Sequence, residues 1–210
     1  DPSSVTITAS EVGIMTTLTD LARNAAPRNV AADIGRLFGE AVAKKQDQDL
    51  IALFDGFSTA VGDGTSAINA AAIFNALSTL RGNALNINDC AVVLHPKIAY
   101  DLKANLTNTF ANANANDLAN EALRSGFVGS LAGMRIFETS NMSNTGTAGD
   151  YKGGAFHRDA IALAEMQGLK IETQRDASLR ADEIVATAVY GVGEIHDTYG
   201  VELHHDSSIQ

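Results

Sequence analysis

The side chains best suited to covalent or metal chemistry are one cysteine and five histidines. Cys90 opens an apolar run that His95 follows, and a thiol paired with an imidazole would make a nucleophilic dyad. Residues five apart face opposite sides of a straight strand, so the spacing argues against a dyad. His204 and His205 are adjacent and would face opposite sides of a strand, which argues against shared metal binding. We interpret Cys90 as a core residue and His95 as structural.

Two glycine motifs could approach a ligand through the backbone. Residues 62–66 read Gly-Asp-Gly-Thr-Ser at a predicted helix start, where free amides can bind an anion. The motif lacks the lysine of a phosphate-binding loop, so it predicts a loop in which Thr65 or Ser66 caps the helix. Residues 191–193 read Gly-Val-Gly inside a predicted strand, which favours a bulge or a close backbone approach.

The composition excludes several classes of function. The 210 residues carry 15 basic and 25 acidic side chains, and a net charge of -10 argues against a protein that grips nucleic acid. A single cysteine excludes an internal disulfide and a multi-cysteine metal site. No apolar run reaches about 18 residues, the length of a membrane-spanning helix. The acids are scattered, and the sequence predicts no catalytic, cofactor-binding or metal site.

The hydrophobic pattern predicts a mixed α+β protein. We expect a strand at residues 4–8 and a helix at 10–26. Apolar residues at helical spacing then predict one long helix over 29–60, about 45 Å in length. Further helices are expected at 65–82, 96–106 and 117–124. Strands are expected at 90–94, 134–138, 169–173, 183–195 and 200–203, with a surface loop over 139–154 and an apolar segment at 160–166 that fits either a helix or a strand.

The order of these segments resembles one known family. Residues 85–102 contain an apolar strand, a helix opened by Pro96, and the aromatic Tyr100 before Leu102. Residues 126–140 pass through a short turn, Leu, Gly and a strand, and residues 189–197 pass through an aromatic, Gly, a short apolar stretch and Asp. This order is similar to that of tailed-phage major capsid proteins with the Hong Kong 97-type fold.

The resemblance implies an architecture. It predicts an elongated peripheral domain with a long spine helix and β-strands, and a compact axial domain with a central sheet and flanking helices. Residues 1–63 would begin the peripheral domain, residues 64–155 would form the axial domain, and residues 156–210 would return to the peripheral strands. Loops at residues 105–116 and 140–153 would adapt to two local symmetries. The family's N-terminal arm and most of its extended loop are expected to be absent from this chain.

The resemblance also implies a function. A coat protein of a tailed double-stranded DNA phage would assemble in the host cytoplasm into pentamers and hexamers of an icosahedral head. Its partners would be its own copies, with scaffolding, portal and decoration proteins, and packaged DNA by non-specific proximity. One alternative is the shell of an encapsulin-type nanocompartment. A more distant alternative is an α/β enzyme, which would need a converging nucleophile, base and oxyanion pocket.

Overall fold

The computed structural model describes residues 4–25, 29–111, 130–131, 133–145 and 149–209. It confirms an α+β protein. The helices are α1 (Asp20–Ala25), α2 (Val30–Ala52), α3 (Ala70–Gly82) and α4 (Pro96–Ala111). The strands are β1 (Ser10–Thr19), β2 (Ala60–Val61), β3 (Cys90–Leu94), β4 (Ser130–Leu131), β5 (Met134–Glu138), β6 (Asp150–His157), β7 (Ile161–Asp176), β8 (Ala181–Glu194) and β9 (Gly200–Asp206).

The chain divides into two compact units. The first comprises Asp1–Leu50 and Ala162–Gly193, and the second comprises Ile51–Ile161 and Glu194–Gln210. These bounds differ from the predicted domain bounds, because β9 joins the sheet of the second unit by pairing with β6 on one side and with β2 on the other. The assignment of the units to a peripheral and an axial domain stays a prediction.

The first unit is a three-stranded sheet with a helix packed on one face. The strand order is β1-β8-β7, and β1 runs antiparallel to β8 from Ser10 opposite Tyr190 to Thr19 opposite Ala181. Apolar side chains that alternate along β1 and β8 pack against α2. Leu18, Phe38, Ile184 and Ala186 form one buried cluster, and Val42, Ala188 and Tyr190 form another.

The secondary structure predicted for the first part of the chain, up to residue 25, is wrong. Residues 4–9 form no strand, and β1 with the short α1 replaces the predicted helix over 10–26. Val12 packs on the buried cluster that contains Val42, and Leu18 lies in the buried cluster that contains Phe38. A period of two, together with pairing along the whole of β1, therefore outweighs the helical signal of a capping serine followed by an acid.

The predicted spine helix is present but shorter at its C-terminal end. Helix α2 spans 23 residues, about 34 Å, and a short 3-10 turn over Leu53–Gly56 follows it. Phe54 and Phe57 are buried in the core of the second unit. The chain therefore leaves the helix where these two aromatic side chains must enter that core.

The second unit has a mixed six-stranded sheet in the order β2-β9-β6-β3-β5-β4. The predicted strands over residues 90–94 and 134–138 are confirmed as β3 and β5, which run parallel. Helices α3 and α4 supply Ile73, Leu80 and Leu102 to the same core as Val92.

The predicted cap of α3 is wrong, because the side chain of Asn69 accepts the cap hydrogen bond from Ala72 N.

Two further strands are longer than the sequence pattern predicts. Strand β6 begins inside the stretch that was expected to be a loop, and it pairs with both β3 and β9. The ambiguous segment at 160–166 and the predicted strand at 169–173 form one 16-residue strand, β7. The predicted helix over 117–124 lies outside the described residues. The first adaptable loop, expected at residues 105–116, is wrong over 105–111, because α4 continues to Ala111, and residues 112–116 lie outside the described residues.

A buried carboxylate ties the end of the chain to α4. Asp101 is buried and accepts hydrogen bonds from Ser208 N at 2.8 Å and from the Ser208 hydroxyl. We predict that Asp101→Ala destabilises the second unit by about 1–3 kcal/mol, because the Ser208 amide loses its acceptor. Ser208→Ala keeps the backbone bond and should cost less in the same denaturant titration. Equal losses in the two variants would contradict this role.

Candidate assembly surfaces

Cys90 and His95, the two residues considered for a nucleophilic dyad, have separate surroundings. The Cys90 thiol is buried and contacts the carbonyl oxygen of Asn86 at 3.5 Å, and burial raises the pKa of this thiol. The His95 ring stacks on Tyr151 with centroids 3.7 Å apart, and burial lowers the pKa of His95. Each side chain thus has its own partner. In the parts of the chain that the structure describes, no group of three or more potential ligands could hold a metal ion.

Two backbone amides of the loop at residues 62–66, those of Gly64 and Thr65, donate hydrogen bonds within the protein. Gly64 N donates to His204 O at 3.1 Å, and Asp63 accepts hydrogen bonds from the backbone and hydroxyl of Thr65. Gly62 has φ +93°, and a Cβ there would lie 2.1 Å from His204 O. Glycine is therefore required because β9 passes directly beside the turn.

The Gly-Val-Gly motif in β8 also serves a close approach, which confirms that interpretation. A Cβ on Gly191 would lie 2.5 Å from Thr8 O, and a Cβ on Gly193 would lie 2.8 Å from Ile7 Cγ1. Residues 7 and 8 therefore lie directly against this end of β8. The motif positions the chain that leads into β1.

One end of the second sheet is held by ionisable groups. His204 Nε2 lies 2.8 Å from Asp150 Oδ1, and the Thr145 hydroxyl also donates to Asp150. Burial alone would raise the pKa of Asp150, but the bonds from Thr145 and His204 outweigh it and lower the pKa. The neighbouring His205 is buried, with Nδ1 3.3 Å from Ser66 O, and burial lowers its pKa. Asp150 therefore favours its carboxylate form, and His205 favours its neutral form, in the folded protein.

This end of the sheet should make the second unit sensitive to acid. His205 has a lowered pKa when folded, so its contribution is full above the ordinary histidine pKa of about 6.5 and is lost as the pH falls below it. A single group can change stability by at most about 1.4 kcal/mol per pH unit. We predict that thermal stability falls between pH 7 and pH 5, and that His205→Gln flattens this fall. Parallel pH profiles for the two proteins would contradict the assignment.

An ion network closes one end of the first unit. Arg175, at the end of β7, donates twice to Asp20 at 2.7 Å and once to Asp182 at 3.3 Å. The hydrogen bonds from Arg175 lower the pKa of Asp20, and those to Asp20 and Asp182 raise the pKa of Arg175. Arg23 also contacts Asp182. These pairs fix the starts of α1 and β8 to the end of β7.

Large apolar side chains are exposed in both units. In the first unit Met166 is 81% exposed on β7 and Leu21 is 80% exposed on α1. In the second unit Phe74, Tyr100 and Phe137 are each about half exposed. Exposed apolar side chains supply contact area to other proteins where they lie together in a patch. The described groups can supply contact area and backbone pairing, and they are not arranged around a reactive centre.

Comparison with known families decides between a role in protein contacts and a role in catalysis. A family model described as phage capsid protein matches residues 3–201. The chain belongs to this family. It is a phage major capsid protein with the Hong Kong 97-type fold, and thus a component of the virion and its icosahedral shell. No curated protein matches the sequence.

Solved structures agree with this capsid protein assignment. The chain is similar to a structure from Mycobacterium phage Che8, with a TM-score of 0.76, 28% identity and coverage of 92% of this chain and 70% of that chain. It is also similar to the capsid of the cyanophage P-SCSP1u, with a TM-score of 0.74, 19% identity and coverage of 96% of this chain and 74% of that chain.

The alternatives are less well supported than the capsid protein assignment. The SrpI encapsulin of Synechococcus elongatus PCC 7942 matches with a TM-score of 0.69 and 13% identity, covering 96% of this chain and 75% of that chain, which shows a shared fold alone. The family model and the phage structures that the chain matches are of structural capsid proteins. Among the described residues, none of the helices has the length and hydropathy needed to cross a membrane.

Proposed function

We propose that copies of this capsid protein assemble into pentamers and hexamers that close an icosahedral head around double-stranded DNA. The second unit would act as the axial domain, and the first would act as the peripheral domain. The observation that carries the proposal is the presence of large exposed apolar side chains in both units of a capsid-family chain. Many weak contacts of this kind can sum to a stable closed shell.

The architecture of each unit supports its proposed place. The second unit has the central sheet with helices α3 and α4 that an axial domain requires. The first unit has the long helix α2 and the long strands β7 and β8 that a peripheral domain requires. The peripheral part would thus be built from residues on both sides of the axial part of the chain.

The negative charge of the protein supports packaged DNA that does not adhere to the shell. The net charge is -10, and residues 181–210 include acidic side chains but neither lysine nor arginine. Acidic protein surface repels phosphate, so packaged DNA would lie near the shell without adhering to it. We propose that scaffolding, portal and decoration proteins are further partners, and that the chain itself performs no catalysis.

The test is electron microscopy of the expressed chain with mass analysis of what it encloses. The proposal expects closed shells that are empty or that contain scaffold or DNA. Shells that contain one folded cargo enzyme would favour a nanocompartment instead. A small discrete oligomer with catalytic turnover would overturn the proposal in favour of an enzyme.

A further inference from the structure

Residues 59–66, here called the strap, cover the outer edge of β9. At the start of the strap, Glu202 N donates a hydrogen bond to Thr59 O at 2.8 Å. At its end, Asp206 N donates to Ser66 O at 3.1 Å. The short pairing of β2 with β9 lies between these two bonds. The strap therefore occupies main-chain groups of β9 that would otherwise form a free sheet edge.

The strap is held mainly through its backbone. Among residues 59–66, all of which the structure describes, Val61 alone is buried. Few buried apolar contacts, together with hydrogen bonds close to solvent, are typical of a segment that opens before its unit unfolds. We therefore expect the strap to open at a lower free energy than the central strands of the same sheet.

His205 lies directly beneath the strap. The residue is 4% exposed, and a Cβ on Gly62 would lie 2.7 Å from its Cε1 and 3.0 Å from its Nδ1. The backbone of the strap thus passes against the imidazole ring. His205 Nδ1 also lies 3.3 Å from Ser66 O, at the end of the strap. The strap both covers this ring and is bonded to it.

The two ring nitrogens of His205 have different surroundings. Because Ser66 O can only accept a hydrogen bond, Nδ1 carries the proton of the neutral ring. Nε2 is buried and has no hydrogen-bond partner among the described residues. A second proton would lie on Nε2, and a charged donor without an acceptor is costly to bury. Water can accept that hydrogen bond only after the strap lifts.

Titratable groups surround the ring from several elements. They are Asp63 on the strap, Asp150 and Tyr151 on β6, His204 and Asp206 on β9, and His95 stacked behind Tyr151. Burial is the main influence and lowers the pKa of His205. The bond to Ser66 O, the charge of Asp63 and the charge of Asp150 act against burial without cancelling it. The ring therefore stays neutral while the strap is closed.

We propose that protonation of His205 releases the strap from β9 at acidic pH while the rest of the second unit stays folded. The open strap lets water reach Nε2 and frees the edge of β9. Protonation of a buried histidine is a common way to bias a segment that has two states. The strap and β9 lie within one unit, so the inference does not depend on shell formation.

Hydrogen–deuterium exchange of the full chain at pH 7 and pH 5 tests the proposal. The amides of Gly64, Glu202 and Asp206 join the strap to β9 and report its opening. After correction for intrinsic exchange rates, their protection should fall by up to about 25-fold, because the open ring binds a proton below its ordinary pKa of about 6.5 and the closed ring does not.

The amides of β3, which pair with β5 and β6, show whether the strap opens by itself. At pH 5 the strap amides should be at least about tenfold less protected than those of β3. Equal protection of the strap and β3 would mean that the strap opens only when the whole unit unfolds. That result, or strap protection that does not change with pH, would overturn the inference.

Two glutamine variants separate titration from packing. His205→Gln keeps a side-chain amide that can donate to Ser66 O but takes up no proton, so the fall in strap protection between the two pH values should shrink to no more than about threefold. His196→Gln removes an exposed histidine and should keep the full fall. The ratio between the two pH values is compared within each protein, so a generally looser strap does not affect the result. Equal ratios in the two variants would contradict the role of His205.

Val61→Ala makes the complementary change. Loss of the buried side chain of the strap should lower the protection of the same amides by about tenfold at both pH values, and the ratio between them should stay that of the parent. Protection equal to that of the parent would show that the strap does not control these amides, and would overturn the inference.

Discussion

Replacing Phe38 by alanine is expected to destabilise the first unit by about 3–5 kcal/mol. Phe38 is 5% exposed on α2 and packs on Leu18, Ile184 and Ala186 of the sheet. This cluster is small, so few neighbouring side chains can move to fill the space that the ring leaves. Denaturant unfolding of the Phe38→Ala variant measures the loss directly.

The adjacent residue supplies the control for Phe38. Leu37 lies on the same helix but is 53% exposed, so Leu37→Ala should change stability within about 0.5 kcal/mol. A large difference between the two variants would show that α2 is held by its inner face. Comparable losses would mean that the helix does not pack on the sheet in the way described.

Replacing Gly200 by alanine is expected to destabilise the second unit by about 1–3 kcal/mol, through a clash in its core. A Cβ on Gly200 would lie 2.2 Å from two atoms of the Phe57 ring. Phe57 is buried and its ring lies 6.1 Å from that of Phe54, so it has little room to move. The midpoint of denaturant unfolding should therefore fall.

Gly82 is the matched control for Gly200. It lies at the end of α3, and a Cβ there would meet nothing within 4 Å. Gly82→Ala should leave stability unchanged or raise it by up to about 1 kcal/mol, because alanine loses less backbone freedom on folding. A Gly200→Ala variant as stable as Gly82→Ala would refute the close contact with Phe57.

Sequence patterns predicted the elements whose side chains face one continuous core. The run from Cys90 to Leu94 lies inside the sheet, where burial and β-branched residues agree, and the segment from Met134 to Glu138 pairs directly beside it. The spine helix was likewise visible from its apolar period. The need for glycine beside Ile7 was predicted from the Gly-Val-Gly motif, although its partner was not.

The errors arise where long-range pairing overrides local signals. Ser10 followed by Glu11 is a good local start for a helix, but pairing with β8 makes a strand of this segment. Thr65 and Ser66 are good helix caps, yet the turn around them is held by β9, and Asn69 caps the helix. Neither the partner strand nor the turn contact is encoded within a local window of sequence.

The candidate surfaces were the least predictable feature. Met166 lies in a segment whose pattern fits either a helix or a strand, and Leu169 lies in a predicted strand. Nothing local shows that β7 lies at the edge of its sheet. Edge position depends on which strands pair, and that is a property of the whole unit. The resemblance to capsid proteins supplied the function because segment order carries information that individual motifs lack.

This chain is proposed to form a closed shell through contacts with its own copies. Cryo-electron microscopy of assembled particles tests it most directly. We predict an icosahedral shell of five- and six-membered rings, with the six-stranded sheet of the second unit around each ring axis. Particles without icosahedral order, or rings with the three-stranded sheet of the first unit at their axes, would contradict the account.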